Sequence, residues 1–240
     1  MQDMRNPMRY KAVFVDIDNT LLSFDGYVKQ TMAEGFAHFG LPAYTPDMYD
    51  VFTRENDSLW QRLEQGALDF QTLQQMRWNN VFRALGISFD GPTFERYFRG
   101  ALHESAIPEP GAYALLERLY GNTILCVASN GPLEQQLHRL ALADMARYFS
   151  FCFISEDIGA AKPARAFFET AFSRLNAGRA LPILPSETLM LGDRLSSDIA
   201  GGREYGMHTC YYKRGSGMPA AGEAEFVVDT LPELVSLFSV

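Results

Sequence analysis

The spacing of apolar residues divides the chain into three parts. A mostly apolar run from about Lys11 to Ile17 is rich in β-branched and aromatic residues, which is typical of a strand covered on both faces. From about Ser23 to Ile107 apolar positions recur at helical spacing, as in Met32 and Phe36. After residue 108, apolar strand-like and helical segments alternate, which predicts βαβ units and a parallel sheet.

The pattern predicts an α/β domain into which a helical domain is inserted. Further strands are expected near Thr123–Ser129, Phe151–Ser155, Thr188–Leu191, Thr209–Tyr212 and Phe226–Val228. Helices are expected near Pro110–Tyr120, Leu133–Arg147, Ala164–Asn176, Asp198–Tyr205 and Pro232–Phe238, with a flexible loop over Lys213–Glu223. The predicted α/β domain comprises residues 1–22 and 108–240, and the helical domain residues 23–107.

Two carboxylates follow the first predicted strand. Side chains alternate along a strand, so Asp16 and Asp18 leave on the same side while Ile17 points into the core. Ligand sites of α/β sheets form where strands end. Two like charges at such a place repel unless a cation or a proton separates them. This stretch therefore favours a divalent metal, a carboxylate nucleophile and a neighbouring acid.

Three more polar motifs follow later along the chain. Ser129-Asn130-Gly131 follows a predicted strand and offers a hydroxyl and free amides near a helix start, which suits an anion. Lys162-Pro163 places an ammonium at the start of a helix. The stretch Gly192 to Asp198 adds the carboxylates of Asp193 and Asp198 after an apolar strand.

Each motif also has a structural interpretation. Asp18 could stabilise a turn, Ser129-Asn130-Gly131 could be only a turn, and Asp198 could cap a helix. A lysine before a proline, such as Lys162, is most often solvated. The recurrence of all four motifs in order, most of them after predicted strands, favours a catalytic site.

The four motifs together resemble those of the haloacid dehalogenase (HAD) superfamily of phosphohydrolases. The resemblance implies a Rossmann-like doubly wound parallel sheet with an inserted α-helical cap domain. It implies that Asp16 is the nucleophile that forms an aspartyl-phosphate, and that Asp18 is the general acid and base. The implied Mg²⁺ ligands are Asp16, the main-chain carbonyl of Asp18 and Asp193, with Asp198 assisting directly or through water. The implied phosphate-binding residues are Ser129, Asn130, Gly131 and Lys162.

Asp18 also separates activities within this superfamily. Carbon–halogen cleavage has no leaving alkoxide to protonate, and the dehalogenase and phosphonatase branches lack an aspartate at this place. Its presence favours phosphoryl transfer. Arg194 departs from many relatives, which have a small hydroxyl residue after the aspartate that corresponds to Asp193.

The long interval between Asp16 and Ser129 places the predicted cap directly after the first motif. The short stretches Ser23-Phe24-Asp25, Leu59-Trp60-Gln61-Arg62 and Arg77-Trp78 resemble the subgroup of pyrimidine 5′-nucleotidases. Candidate specificity residues are Phe24, Trp60, Arg62 and Arg77. Tryptophans at helical spacing are also common in a core, and Arg62 and Arg77 could be surface residues.

Charge and composition limit the partners of the protein. The net charge of -8 argues against binding of a nucleic-acid polymer, which requires a basic surface. The polar first ten residues lack the apolar segment of a signal peptide, and no apolar run approaches the ~18 residues of a membrane span. The sequence therefore predicts a cytoplasmic protein, and the resemblance implies that its substrate is a small phosphate ester.

The leading hypothesis is a Mg²⁺-dependent nucleoside 5′-monophosphatase. A sugar-phosphate phosphatase or phosphosugar mutase with the same core is the alternative, although no cap group that would protect a mutase intermediate can be identified. A non-catalytic nucleotide-binding protein is the third interpretation, and the presence of both Asp18 and Lys162 argues against it.

Overall fold

A computed structural model describes residues 10–215, 217 and 222–237. The chain forms two compact units, one comprising Met1–Ser23 with Ala106–Val240 and the other Phe24–Ser105. The polar N-terminal segment, apart from Tyr10, and residues 216 and 218–221 of the loop predicted to be flexible lie outside the described residues.

The first unit is built on a parallel sheet, as the sequence predicts. Its six described strands are β1 (Ala12–Val15), β2 (Ile124–Ser129), β3 (Phe151–Ile154), β4 (Thr188–Gly192), β5 (His208–Tyr212) and β6 (Phe226–Val228). They pair in the order β3-β2-β1-β4-β5-β6, all in parallel. Strand β1 therefore lies between β2 and β4, so that the segments that follow these three strands lie at one edge of the sheet.

The second unit consists of helices. They are α1 (Phe24–His38), α2 (Pro46–Glu64), α3 (Phe70–Leu85) and α4 (Gly91–His103). Aspartates begin two of them: the side chain of Asp69 accepts from the amide of Thr72, and that of Asp90 from the amide of Thr93. The interior is aromatic, and the fully buried Trp78 packs on several phenylalanine rings. The core interpretation of Trp78 is thereby confirmed.

Helices cover both faces of the sheet. They are α5 (Ala112–Leu119), α6 (Leu133–Leu142), α7 (Ser155–Ile158), α8 (Arg165–Asn176), α9 (Ala200–Tyr205) and α10 (Leu231–Leu237). Alternate residues of β1 enter different cores: Val13 and Val15 pack in the cluster that contains α5 and α10 residues. Phe14 packs with the α8 side chains Phe168 and Phe172 on the other face. Both faces of this strand are therefore apolar, which explains its continuous hydrophobic run.

Two predicted helices differ from the observed ones. Helix α6 ends at Leu142 instead of Arg147, because Asp144 adopts a left-handed conformation with φ of 51°. The helix expected over Asp198–Tyr205 is preceded by a wider π-helical turn, Leu195–Ile199, and α9 itself begins at Ala200. Within the described part of the chain, no helix combines the length and hydrophobicity that crossing a bilayer requires.

Candidate active site

The register of the sheet brings the predicted motifs to one edge. Val15 at the end of β1 lies opposite Val127 of β2 and Leu191 of β4. The amide of Asp16 continues this pairing by donating to the Leu191 carbonyl at 2.9 Å. Asp16, the Ser129 motif and the Gly192–Asp198 stretch therefore follow three adjacent strands.

A tight turn follows β1. The amides of Thr20, Leu21 and Leu22 all donate to the carbonyl of Ile17, at 3.2, 2.8 and 2.9 Å. Asn19 completes the turn with φ of 62°, a left-handed conformation that asparagine adopts more readily than most residues. The turn fixes the backbone on either side of Asp18 and thus the direction in which its side chain leaves.

Lys162 lies at the centre of the site. It is 1% exposed, and its Nζ donates to Asp16 Oδ1 at 2.7 Å, to Asp198 Oδ1 at 2.6 Å and to the Ala128 carbonyl at 2.5 Å. An ammonium has three hydrogens, so each of them has an acceptor. The two carboxylates raise the pKa of Lys162 against the opposing effect of its burial, which keeps the side chain charged.

Three carboxylates surround a potential cation site. Asp16, Asp193 and Asp198 each offer an oxygen, and these oxygens lie within 4.8 Å of one another. Burial, together with Asp198 and Asp18, raises the pKa of Asp16 to about 7 although Lys162 opposes the shift. Burial and the charges of Asp16 and Asp198 also raise the pKa of Asp193. One ammonium does not balance this negative charge, and the hard oxygen donors fit Mg²⁺.

Gly192 permits the close approach of Asp198 to the end of β4. A Cβ atom at Gly192 would lie 2.2 Å from Asp198 Oδ2, far inside van der Waals contact. The same Oδ2 accepts from the amide of Arg194 at 3.0 Å. Arg194 therefore holds this carboxylate through its main chain, which does not depend on the identity of its side chain.

Asn130 connects two loops of the site. Its Nδ2 donates to the Lys162 carbonyl at 2.9 Å, and its Oδ1 accepts from the Lys162 amide at 2.8 Å. The peptide bond between Lys162 and Pro163 is cis. Both ends of the Asn130 amide are therefore used to position the loop that carries Lys162.

Gln136 and Arg139 of helix α6, both fully buried, lie outside the four motifs predicted from the sequence. Arg139 Nη1 donates to Asp18 Oδ1 at 2.7 Å, and Gln136 Nε2 donates to Asp18 Oδ2 at 2.7 Å. A signal for them exists in the sequence. They are three positions apart, and so lie on one helix face, directly after the Ser129 motif. On that helix Leu137 is 41% exposed while the two polar side chains are buried, the reverse of the usual preference.

The candidate specificity residues of the helical unit differ in environment. Phe24 is half-buried against Tyr27, and Trp60 is half-buried with its ring 5.8 Å from that of Phe70. Arg62 is exposed. Arg77 is only 4% exposed, so the surface interpretation of this residue is wrong.

Arg77 forms a buried ion pair. Its Nη2 lies 2.5 Å from Glu95 Oε1 and its Nε 3.0 Å from Oε2, the two parallel contacts of a bidentate pair. Its Nη1 lies 3.4 Å from Asn56 Oδ1, and its guanidinium carbon lies 4.7 Å from the centre of the Phe98 ring. These contacts stabilise the interior of the helical unit.

Comparisons with known proteins agree with the geometry. The family model of the haloacid dehalogenase-like hydrolases matches residues 10–206. The pyrimidine 5′-nucleotidase PynA of Streptococcus pneumoniae is 31% identical over 206 residues, covering 85% of this chain and 84% of PynA. The pyrimidine 5′-nucleotidase YjjG of Escherichia coli is 29% identical over 232 residues, covering 96% and 98% of the two chains.

A solved structure supports the same assignment. The HAD-hydrolase YfnB from Bacillus subtilis, bound to magnesium, has a TM-score of 0.84 and 27% identity, covering 97% of this chain and 100% of that chain. The resemblance inferred from the four motifs is thus confirmed. The chain belongs to the haloacid dehalogenase-like hydrolases, as an enzyme of the phosphatase type.

Proposed function

We propose that this protein is a Mg²⁺-dependent phosphatase that hydrolyses small phosphate monoesters through an aspartyl-phosphate, with nucleoside 5′-monophosphates as its substrates. The observation that carries the proposal is the placement of Asp16. Its carboxylate lies with the buried Lys162 and Asp198 and the half-buried Asp193. A second acid, Asp18, lies nearby and is held by two side chains.

The reaction requires two displacements at phosphorus. In the first, an Asp16 oxygen forms a bond to phosphorus while the bond to the leaving oxygen breaks, and Asp18 gives its proton to that oxygen. In the second, Asp18 takes a proton from water, whose oxygen attacks phosphorus and releases Asp16. The sum is an ester and water converted to an alcohol and inorganic phosphate, with both aspartates restored.

The surrounding residues supply the charge that this chemistry requires. A Mg²⁺ ion held by Asp16, the Asp18 main-chain carbonyl, Asp193 and Asp198 would neutralise the phosphoryl oxygens and hold them next to the nucleophile. Lys162 contributes a buried positive charge and exchanges one of its present acceptors for a phosphoryl oxygen when substrate binds. Ser129 and the amide of Asn130 bind the remaining oxygens, and the Gly131 amide, which donates to Ser129 Oγ at 3.2 Å, supports this binding through that hydroxyl.

The helical unit, Phe24–Ser105, provides substrate selection as a cap domain in this proposal. The relatives named as pyrimidine 5′-nucleotidases support a nucleotide as substrate, because they align along most of both chains. Phe24 and Trp60 are the aromatic candidates for stacking on a base, and the exposed Arg62 is the candidate cation. Arg77 is a weaker candidate, since its guanidinium is committed to Glu95.

A substrate panel with matched variants tests the proposal. Phosphate release with Mg²⁺ is measured for pyrimidine and purine nucleoside 5′-monophosphates and for sugar phosphates. We expect a pyrimidine nucleotide to give the highest kcat/KM and Asp16→Asn to abolish turnover. Asp157→Asn, which changes an exposed carboxylate paired with Arg174, is the control and should retain full activity.

The possible results separate the parts of the proposal. A sugar phosphate preferred over every nucleotide would overturn the substrate assignment and leave the mechanism standing. Full Mg²⁺-dependent activity of Asp16→Asn would overturn the mechanism. Nucleotide binding without any phosphate release would instead identify a non-catalytic binding protein.

A further inference from the structure

We propose that Gln136, anchored by Arg139, is a positioning residue that aims both the Ser129 hydroxyl and the Asp18 carboxyl at the reacting phosphate ester. This inference rests on the proposed phosphatase function and assigns a role to two side chains of helix α6 within it. All four residues belong to the same compact unit.

A continuous set of hydrogen bonds joins these residues. Gln136 Nε2 donates to Asp18 Oδ2 at 2.7 Å and to Ser129 Oγ at 2.8 Å. Arg139 Nη1 donates to Asp18 Oδ1 at 2.7 Å and to Gln136 Oε1 at 2.9 Å. Gln136 is thereby the direct link between a proposed phosphate-binding residue and the proposed acid.

Arg139 determines which way the Gln136 amide faces. A guanidinium can only donate, so the side-chain atom of Gln136 that faces Arg139 Nη1 must be the carbonyl oxygen. The amide nitrogen then faces Asp18 and Ser129. The reversed amide would place its oxygen against the Asp18 carboxylate and its nitrogen against the guanidinium, two repulsive contacts in a fully buried position.

This orientation also determines the direction of the Ser129 hydroxyl proton. Ser129 Oγ accepts from Gln136 Nε2 at 2.8 Å and from the Gly131 amide at 3.2 Å. A hydroxyl has two lone pairs and one proton, so both acceptor positions are occupied and the proton is left to donate. Ser129 is therefore prepared as a donor, which is the role that a phosphoryl oxygen requires.

The same amide holds Asp18 and leaves lone pairs free on both of its oxygens. Each Asp18 oxygen accepts one hydrogen bond from helix α6, whereas a carboxylate has about four lone-pair sites. A lone pair on each oxygen remains for the proton that is given to the leaving group. Gln136 and Arg139 fix the orientation of the carboxyl plane, so that this proton is delivered in one direction.

Packing keeps Gln136 in this position. A Cβ atom at Gly131 would lie 2.5 Å from Gln136 Nε2, so the loop backbone is in direct contact with the amide. The start of α6 is held as well, because the Leu133 amide donates to Glu156 Oε2 at 2.6 Å. The side chain therefore has a single well-defined place at the site.

The experiment compares two aryl phosphates of similar shape. Phenyl phosphate has a more basic leaving oxygen than 4-nitrophenyl phosphate and depends more strongly on proton donation by Asp18. Gln136→Met retains the length of the side chain but removes both donors. Gln136→Glu retains an acceptor for Arg139 but likewise removes both N–H donors. Gln135→Met, on the neighbouring position of α6, is the matched control.

In both Gln136 variants we expect kcat for phenyl phosphate to fall by about 100-fold, and that for 4-nitrophenyl phosphate by about 10-fold or less, since general acid catalysis is worth about 10²–10⁴. Inhibition by inorganic phosphate should also weaken, because Ser129 loses its fixed orientation. The control should keep both activities. The ratio of the two activities comes from one preparation, so partial unfolding does not change it.

Equal falls in both activities, or no fall, would overturn the inference. A wild-type protein that hydrolyses neither ester would instead overturn the proposed function. A wild-type protein that hydrolyses both, with a ratio unchanged in the Gln136 variants, would refute only the positioning role.

Discussion

The buried ion pair of the helical unit gives a quantitative prediction for Arg77→Met. Arg77 is 4% and Glu95 5% exposed, and the substitution leaves the carboxylate without its bidentate partner. The same change tests whether Arg77 acts in substrate binding or in the stability of the fold.

The magnitude follows from the contacts. Removing one partner of a buried pair costs about 3–5 kcal/mol, because the remaining charge stays desolvated. The lost contact with the Phe98 ring adds about 0.5–1 kcal/mol. We therefore expect Arg77→Met to lower the free energy of unfolding by about 4–6 kcal/mol. The double variant Arg77→Met/Glu95→Met should lose only about 1 kcal/mol, mainly because the buried Asn56 carbonyl loses its 3.4 Å partner.

The pH dependence of Arg77→Met has a definite sign. Burial already raises the pKa of Glu95, and the opposing effect of Arg77 disappears in the variant. The folded variant then binds the Glu95 proton more tightly than the unfolded chain does. Stability is therefore highest below the unfolded pKa and falls as the pH rises towards the folded pKa. The deficit relative to wild type should be larger near about pH 8 than near about pH 5.

Urea unfolding followed by tryptophan fluorescence measures these values. The chain has two tryptophans, Trp60 and Trp78, and both lie in the helical unit, so the signal reports this unit. With a slope of about 2 kcal/mol per molar urea, the midpoint of the single variant should fall by roughly 2–3 M. A double variant as unstable as the single one would refute the ion-pair argument. Unchanged stability with a KM raised at least tenfold would make Arg77 a substrate ligand.

Three further predictions concern the core site. Mg²⁺ should raise the melting temperature, with a stabilisation of about 2.7 kcal/mol at one hundred times its Kd. Asp193→Asn should remove most of this stabilisation. Wild-type protein in a chelator should lose turnover. Lys162→Met should abolish phosphate release and lower stability by about 3–5 kcal/mol in chelator, measured by urea unfolding, because two buried carboxylates lose their cation. Retained turnover would contradict this role. Gly192→Ala should displace Asp198, because the new Cβ would lie 2.2 Å from Asp198 Oδ2. Calorimetry should then show Mg²⁺ binding weakened at least tenfold. Unchanged affinity would show that the loop adapts.

The strands of the sheet could be predicted from the sequence because their patterns are local. The run around Val13 and Val15 is apolar at every position, as a strand with two covered faces requires, and the structure places it in the middle of the sheet. The end of α6 could not be predicted from the sequence. Its helical pattern continues past Leu142, and only the left-handed backbone of Asp144 ends it.

Some polar groups of the site can likewise be predicted from the sequence, and others cannot. Asp16, Asp18, Ser129 and Asp193 stand next to strand ends, so topology alone brings them to one edge of the sheet. Gln136 lies inside a helix and reaches Asp18 across a sequence separation of 118 residues. No local sequence pattern identifies Asp18 as the partner of Gln136.

The sequence by itself therefore determined the parallel sheet, the helical insertion and the carboxylates at the ends of the strands, since periodicity and alternation are properties of neighbouring residues. The tertiary structure decided which polar groups satisfy one another: Lys162 with two carboxylates, Arg77 with Glu95, and Gln136 with both Asp18 and Ser129. The physical reason is that a buried polar group must find a partner within about 3 Å, and the fold, rather than the spacing along the chain, determines which groups come that close.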